Sequence, residues 1–411
     1  KFPMIKKILK DELIKGSLLL IILLGVFNVL NYIFQMSMAK MLSVEDYGIL
    51  ATLMSIVYIF GIPSEAIQTL ASRYASKFSS TSVIKDFLIK SCKRMGKYLF
   101  LFFLAFLVVS IWLSSFLGIK YLLFFITGLT LFGSFLVPIN RGILQGSKKF
   151  MSMGMNMVFE STFKIIISIL LVFLSFKVYG AMIGVVFGIL FAFAISFLSM
   201  KDILKSKREK ESPEFKFGAR WMVAICAIVL MYSLDIILAR RFFSAQLAGQ
   251  DAFISLIGKA IVFANLAVGK AMFPISSEKF NKGKTTKGLL KKSLILVSII
   301  SVIALIFYFF IPELIVRILS LWDTKYLPAA NVLFLVGLGF AFVSLSNVII
   351  LYKLSINKTR YFYWLLVFPL IQVVLMGLFH SNLREFAFSL LASTVLMLIY
   401  SLALIKKLNF Q

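Results

Sequence analysis

Histidine occurs once and cysteine twice in 411 residues, and there are only 17 acidic side chains against 44 lysines and arginines. With His380 alone, a histidine-based catalytic triad and a histidine-rich metal site are excluded. Cys92 in a basic loop and Cys226 inside an apolar run have no metal-ligand spacing and form no disulfide framework. Charge itself is scarce: 15% of residues are charged and 61% are hydrophobic, where soluble domains carry about 25% and about 45–50%. With a mean hydropathy of +0.98, a soluble globular protein is excluded. The chain is that of a polytopic membrane protein.

A bilayer core requires about 20 apolar residues per helical pass. Apolar runs fall at residues 16–39, 48–71, 98–117, 121–140, 151–174, 178–199, 218–239, 251–275, 293–316, 328–350, 361–379 and 384–405, which gives twelve spans. The first has no small-residue cleavage pattern and reads as a retained helix, not a signal peptide. The connections alternate in charge. Those on one side of the membrane carry 33 lysines and arginines, those on the other carry 8, and the remaining 3 fall inside spans. By the positive-inside rule both termini face the cytoplasm. The net charge of +27 is therefore a topology signal and an attraction to anionic membrane lipid, not a sign of nucleic-acid binding.

The two halves of the chain resemble each other at an offset of 200 to 202 residues. Ala39 through Gly48 leads into a span ending Ser76-Lys77-Phe78, and Ala239 through Gly249 leads into one ending Glu278-Lys279-Phe280. An even number of spans per half makes the repeat parallel. This predicts an all-α protein with a six-helix lobe over 1–200, a charged cytoplasmic linker over 201–217 and a second six-helix lobe over 218–411, arranged around a central cleft. Gly180, Gly184 and Gly188 form a small-xxx-small stripe that reads as a helix-packing face. Pro63, Pro138, Pro274 and Pro369 lie within or at the ends of spans, as kinks or as tolerated membrane prolines. Glu45-Asp46 in the first outer loop reads as a solvated loop start with no second acidic loop beside it, and the short outer loops leave no extracytoplasmic domain to hold the acceptor of a glycosyltransferase or polymerase.

An ionisable side chain at mid-bilayer costs about 2.5–3.5 kcal/mol on insertion scales, so each one is a functional candidate. Lys164 lies about 20 Å along its span, with Glu160 one turn away and able to face it as a structural pair. Lys259 and Lys270 share nearly one face of another span and form a basic stripe. Asp235 and its repeat mate Gln35 lie on equivalent spans, with Asn28 and Asn31 beside Gln35, and Glu65 and Gln68 on the next. A cleft whose deepest charges are mainly lysines suits an anionic headgroup better than a cationic drug.

The stretches Met41-Leu42-Ser43-Val44-Glu45-Asp46-Tyr47-Gly48, Gly61-Ile62-Pro63 through Arg73-Tyr74, and Arg141-Gly142-Ile143-Leu144-Gln145-Gly146 resemble the Wzx-type flippases. These form the polysaccharide-transporter branch of the multidrug/oligosaccharidyl-lipid/polysaccharide exporter superfamily. Asp235 to Pro274 resembles the start of that family's second half, with Gly249-Gln250 where Gly-Tyr is usual. The resemblance implies a non-enzymatic, alternating-access flippase of the bacterial plasma membrane that moves undecaprenyl-pyrophosphate-linked oligosaccharide to the outer leaflet, without a bound cofactor. In that reading Lys164, Lys259 and Lys270 receive the pyrophosphate, and Asn28, Asn31, Gln35 and Gln68 contact sugar hydroxyls. Asp235 or Glu65 would couple the cycle to protons or sodium, and an uncoupled, gradient-driven cycle is equally compatible. Glycosyltransferases and a glycan polymerase are the implied partners. A cation-coupled multidrug exporter of the same superfamily is the alternative, and a membrane glycosyltransferase or polymerase a weaker one.

Overall fold

The structure, a computed structural model, describes residues 12–77, 80–208 and 219–406, and every regular element among them is helical. Only helices and closed barrels satisfy every backbone group inside lipid, and these apolar runs, without period-two alternation, take the helical solution. In chain order the α-helices are α1 (Glu12–Met41), α2 (Val44–Phe60), α3 (Ile62–Lys77), α4 (Thr81–Leu117), α5 (Tyr121–Leu129), α6 (Leu131–Gly146), α7 (Phe150–Leu171) and α8 (Lys177–Ser199). After α9 (Lys201–Lys205) come α10 (Ala219–Phe242), α11 (Ala245–Asn281), α12 (Lys287–Phe310), α13 (Pro312–Leu319), α14 (Leu333–Ser355), α15 (Val367–Leu378) and α16 (Leu383–Lys406).

Ten helical stretches among the described residues are long and apolar enough to cross a membrane, and Phe362–Leu378 is a shorter apolar one. One of the ten, Phe150–Ser199, is 50 residues long and holds two passes. It reverses at the π-helical turn Val172–Phe176, where Ser175 adopts φ 68° and Lys177 φ 49°. Both residues have positive φ and carry side chains, a strain of order 1–3 kcal/mol each, offset by the tight antiparallel packing of α7 on α8. The twelve expected spans are thus all present as helix.

Packing divides the chain into two compact units, the first Lys1–Leu42 with Phe60–Phe217, the second Ser43–Ile59 with Gly218–Gln411. The lobe boundary at 201–217 stays a proposal, since residues 209–218 lie outside the described ones. Residues 43–59, early in the chain, group with the second unit, and their contacts show why. A Cβ at Gly48 would stand 2.9 Å from the Gly249 Cα, and one at Gly249 only 2.0 Å from the Val44 carbonyl oxygen. Backbone therefore lies on backbone between α2 and α11. Beside this crossing the fully buried Tyr47 ring packs edge-on against Phe253 and Tyr326, at 5.9 and 5.8 Å between centroids. The repeat is written into the helix starts as well: the Ser43 hydroxyl accepts the Asp46 N–H at 3.1 Å and the Ser244 hydroxyl the Leu247 N–H at 3.4 Å. These are the same N-cap in both halves. Glu45 and Asp46 sit in the first turn of α2, where the helix dipole favours acids.

The glycine stripe on α8 closes that helix onto α7. Cβ atoms built at Gly180, Gly184 and Gly188 would come within 2.8 Å of Leu171 Cβ, 2.1 Å of Ser168 Oγ and 2.8 Å of Lys164 Cβ. This is close packing between small residues, the geometry that the spacing predicts. Gly184→Val should therefore destabilise the protein by about 2–3 kcal/mol through overpacking, read as a lowered midpoint of thermal unfolding in detergent. An unchanged midpoint would refute the close approach.

Candidate functional site

Among the described residues each unit holds a buried polar cluster built on an i, i+4, i+8 face of a single helix, and the first unit holds in addition the fully buried Asp86, paired with Lys90 at 2.7 Å and Arg208 at 2.8 Å. On α7 of the first unit the face carries Asn156, Glu160 and Lys164. From α6 the Arg141 Nε donates to Asn156 Oδ1 at 2.9 Å, and its Nη2 makes an ion pair with Glu160 Oε2. Asn156 Nδ2 in turn donates to the Ala192 carbonyl on α8 at 2.7 Å. Lys164 is 6% exposed, and its ammonium donates to Asn31 Oδ1 on α1 while lying 4.7 Å from the Phe34 ring centroid. Asn31 Nδ2 donates to the Phe27 carbonyl at 2.8 Å and to Ser161 Oγ at 3.2 Å, which fixes the orientation of its amide. Glu160 makes its close ion pair with Arg141, while Lys164, which the four-residue spacing sets against it, lies within electrostatic reach of it without a direct ion pair. A guanidinium reaching over from α6 takes the carboxylate with a charge-assisted hydrogen bond, and the ammonium turns to a neutral amide. The cluster holds two cations and one carboxylate.

In the second unit the face is on α11 and carries Asp251, Ser255 and Lys259. Opposite it on α10 stands Asp235, 2% exposed. Its Oδ1 accepts from Lys259 Nζ at 3.1 Å and its Oδ2 from the Ser255 hydroxyl. The Lys259 ammonium also lies 5.4 Å from the Phe340 ring centroid, a cation–π contact. Asp251 is 4% exposed, within electrostatic reach of both Asp235 and Lys259, and its Oδ2 has no hydrogen-bond partner. Here two carboxylates share one cation.

The other sequence candidates are spread more widely. Gln35 is buried on α1 with its Oε1 unpartnered, on the face shared by Asn28 and Asn31. Asn28 is exposed, as is Glu65 on α3. Gln68 donates to Gln145 Oε1 at 3.1 Å, across a crossing of α3 and α6 at which a Cβ on Gly142 would stand 2.4 Å from the Gln68 carbonyl oxygen. The side chain of Lys270 on α11 lies outside the described residues. Among the described residues no group of three or more His, Cys, Asp and Glu is placed to hold a metal ion. Sequence reasoning missed Arg141, Asn156, Asp251 and Ser255 as site residues. For Asn156, Asp251 and Ser255 the signal available was the i, i+4, i+8 polar spacing on α7 and α11; Arg141, on α6, had none.

Twelve apolar helical passes, with a buried ionisable cluster in each unit, make the chain a multi-pass membrane protein. Residues 37–331 match the family model described as polysaccharide biosynthesis protein, and the chain belongs to that family. Among solved structures it is similar to an inward-facing multidrug resistance MATE family transporter of the MOP superfamily, at TM-score 0.72 and 12% identity, covering 95% of this chain and 99% of that one. It is likewise similar to the lipid II flippase MurJ in an inward closed conformation, at TM-score 0.68 and 16% identity, over 95% and 87%. A third similar structure is a MOP superfamily transporter from Pyrococcus furiosus, at TM-score 0.61 and 14% identity, over 97% and 96%. Comparison with curated proteins finds no significant match.

Proposed function

We propose that the protein is a flippase that carries an undecaprenyl-pyrophosphate-linked oligosaccharide across the bacterial plasma membrane by alternating access, both termini facing the cytoplasm. The family match supports a role in polysaccharide assembly, and one observation supports an anionic cargo. Lys164 is buried beside an Arg141–Glu160 pair that is already neutral, and is held by the amide of Asn31. The first-unit cluster thus carries a net positive charge inside the membrane, which a pyrophosphate would neutralise. Gln35, with its free acceptor, and Asn28 and Asn31 on the same helix supply groups for sugar hydroxyls. Lys259 and Lys270 were also candidates for the pyrophosphate. Lys259 has its charge met by Asp235, so we assign it with Asp235 and Asp251 to ion coupling, where two carboxylates and one ammonium balance on taking up a proton or sodium ion. Glycosyltransferases would deliver the substrate and a polymerase would consume the product.

The test is transport of a fluorescent pyrophosphate-linked glycolipid in proteoliposomes. Lys164→Met should lower the flipping rate at least tenfold, the loss of roughly one charge-assisted contact, while the folded yield is kept because Asn31 is neutral. Lys164→Arg should retain part of the rate. Unchanged flipping by Lys164→Met overturns the assignment, and transport of lipophilic cations alone supports a multidrug exporter instead.

A further inference from the structure

A cavity of about 340 Å³ opens in the second unit at the far ends of α12, α14 and α16, lined among others by Tyr308, Phe309, Pro312, Asn331, Phe334 and Arg384. It lies among the connections between spans nine and ten and between spans eleven and twelve, on the side away from the basic loops. We propose that this cavity is a binding site for the phosphate headgroup of an anionic phospholipid, with Arg384 as its cation.

Three observations carry the assignment. The first is charge. The acid next to Arg384 is Glu385, and it is engaged elsewhere: Asn382 Nδ2 donates to Glu385 Oε1 at 3.0 Å, and the Glu385 N–H donates to Asn382 Oδ1 at 2.9 Å. This reciprocal cap starts α16 and turns the carboxylate back on the helix end. Among the described residues the Arg384 guanidinium makes no hydrogen bond or ion pair, and no acid lines the cavity. The second is rigidity. The Tyr308 hydroxyl donates to the Ile257 carbonyl at 2.7 Å, and the Phe309 and Phe334 rings meet edge-on at 5.2 Å. One wall of the cavity is thereby tied to α11 through Tyr308, and two of its rings pack on each other. The third is the rim. Phe309, Phe310, Ile318 and Trp322 are 60%, 72%, 50% and 68% exposed, an apolar surface running from the cavity along α12 and the short α13.

Together these specify an occupant with an anionic head and apolar chains. A planar guanidinium grips a phosphate through two parallel hydrogen bonds, and the Asn331 amide adds a further donor. The cavity has room for roughly ten water molecules, the size of a phosphate diester with its glycerol. The apolar rim lets the acyl chains of a lipid run on from its headgroup, which free phosphate lacks, and a zwitterionic lipid would bring its own cation to Arg384.

Native mass spectrometry of the full chain, purified and incubated with phosphatidylglycerol, phosphatidylcholine or inorganic phosphate, tests the proposal. The wild type should retain phosphatidylglycerol over phosphatidylcholine. Arg384→Ala should lower that retention about tenfold without changing the lipid-free unfolding midpoint, as its side chain is exposed. Arg384→Lys should fall between, having charge but no fork, and Asn331→Ala should weaken retention less. Equal retention of the two lipids by the wild type, equal phosphatidylglycerol retention by wild type and Arg384→Ala, or protection by inorganic phosphate as great as by the lipid would each overturn it. None of these readouts depends on flipping, so the result stands apart from the fate of the transport proposal.

Discussion

Lys259→Ala is expected to destabilise the folded protein by about 3–5 kcal/mol, the cost of removing one partner from a buried ion pair. Asp235 would keep only the Ser255 hydroxyl, at 2% exposure and with Asp251 within electrostatic reach. An uncompensated carboxylate in that setting is the expensive species. Replacing both partners removes it: Asp235→Asn with Lys259→Met should recover most of the loss, since a buried pair exchanged for groups of similar volume is often neutral. Thermal unfolding in detergent with a folded-fraction readout checks the pattern. A single variant as stable as the wild type, or a double variant no better than the single one, would show that the pair is not held as the structure shows. The pattern matters for reading transport data. Loss of flipping in Lys259→Ala alone is equally a folding defect, whereas loss in the recovered double variant reports on the transport cycle.

The sequence and the structure agree best where one helix suffices to make the argument. Span number and helical class follow from hydropathy, because lipid leaves the backbone no other choice. The glycine stripe on α8 was legible for a similar reason, since three small residues four apart can only mark a face that something approaches closely. Partner choice was not legible. Spacing shows that Glu160 and Lys164 can meet, but not that Arg141, on another helix, competes for the same carboxylate. Asp235 and Lys259 were both found as intramembrane charges and given separate roles. Their pairing depends on how α10 and α11 lie against each other. Asp251 was lost at a span boundary, where a charge reads as the edge of the membrane; in the folded chain α11 begins at Ala245 and Asp251 is buried.

The crossing of α2 and α11 yields the other large effect. Gly249→Ala should cost at least about 3 kcal/mol or abolish folded protein, at the upper end of overpacking penalties. The atom in the way is the Val44 carbonyl oxygen, 2.0 Å from the added Cβ, and backbone cannot rotate aside as a side chain can. Moving the helices apart would also unseat the Tyr47 ring from Phe253 and Tyr326. Gly25→Ala is the matched control, since a Cβ there meets nothing within 4 Å; it should be neutral or stabilise the helix by about 0.5–1 kcal/mol. Unfolding midpoints of the two variants decide the matter, and a Gly249→Ala protein as stable as the Gly25→Ala control would refute the contact. Gly48 and Gly249 stand 201 residues apart, at matching places in the repeat. Their contact sets each half's copy of one position against the other, as in an isologous interface. A side chain at either position is then opposed by backbone of the other half, which is why both copies are glycine although the residues before them, Tyr47 and Ala248, differ.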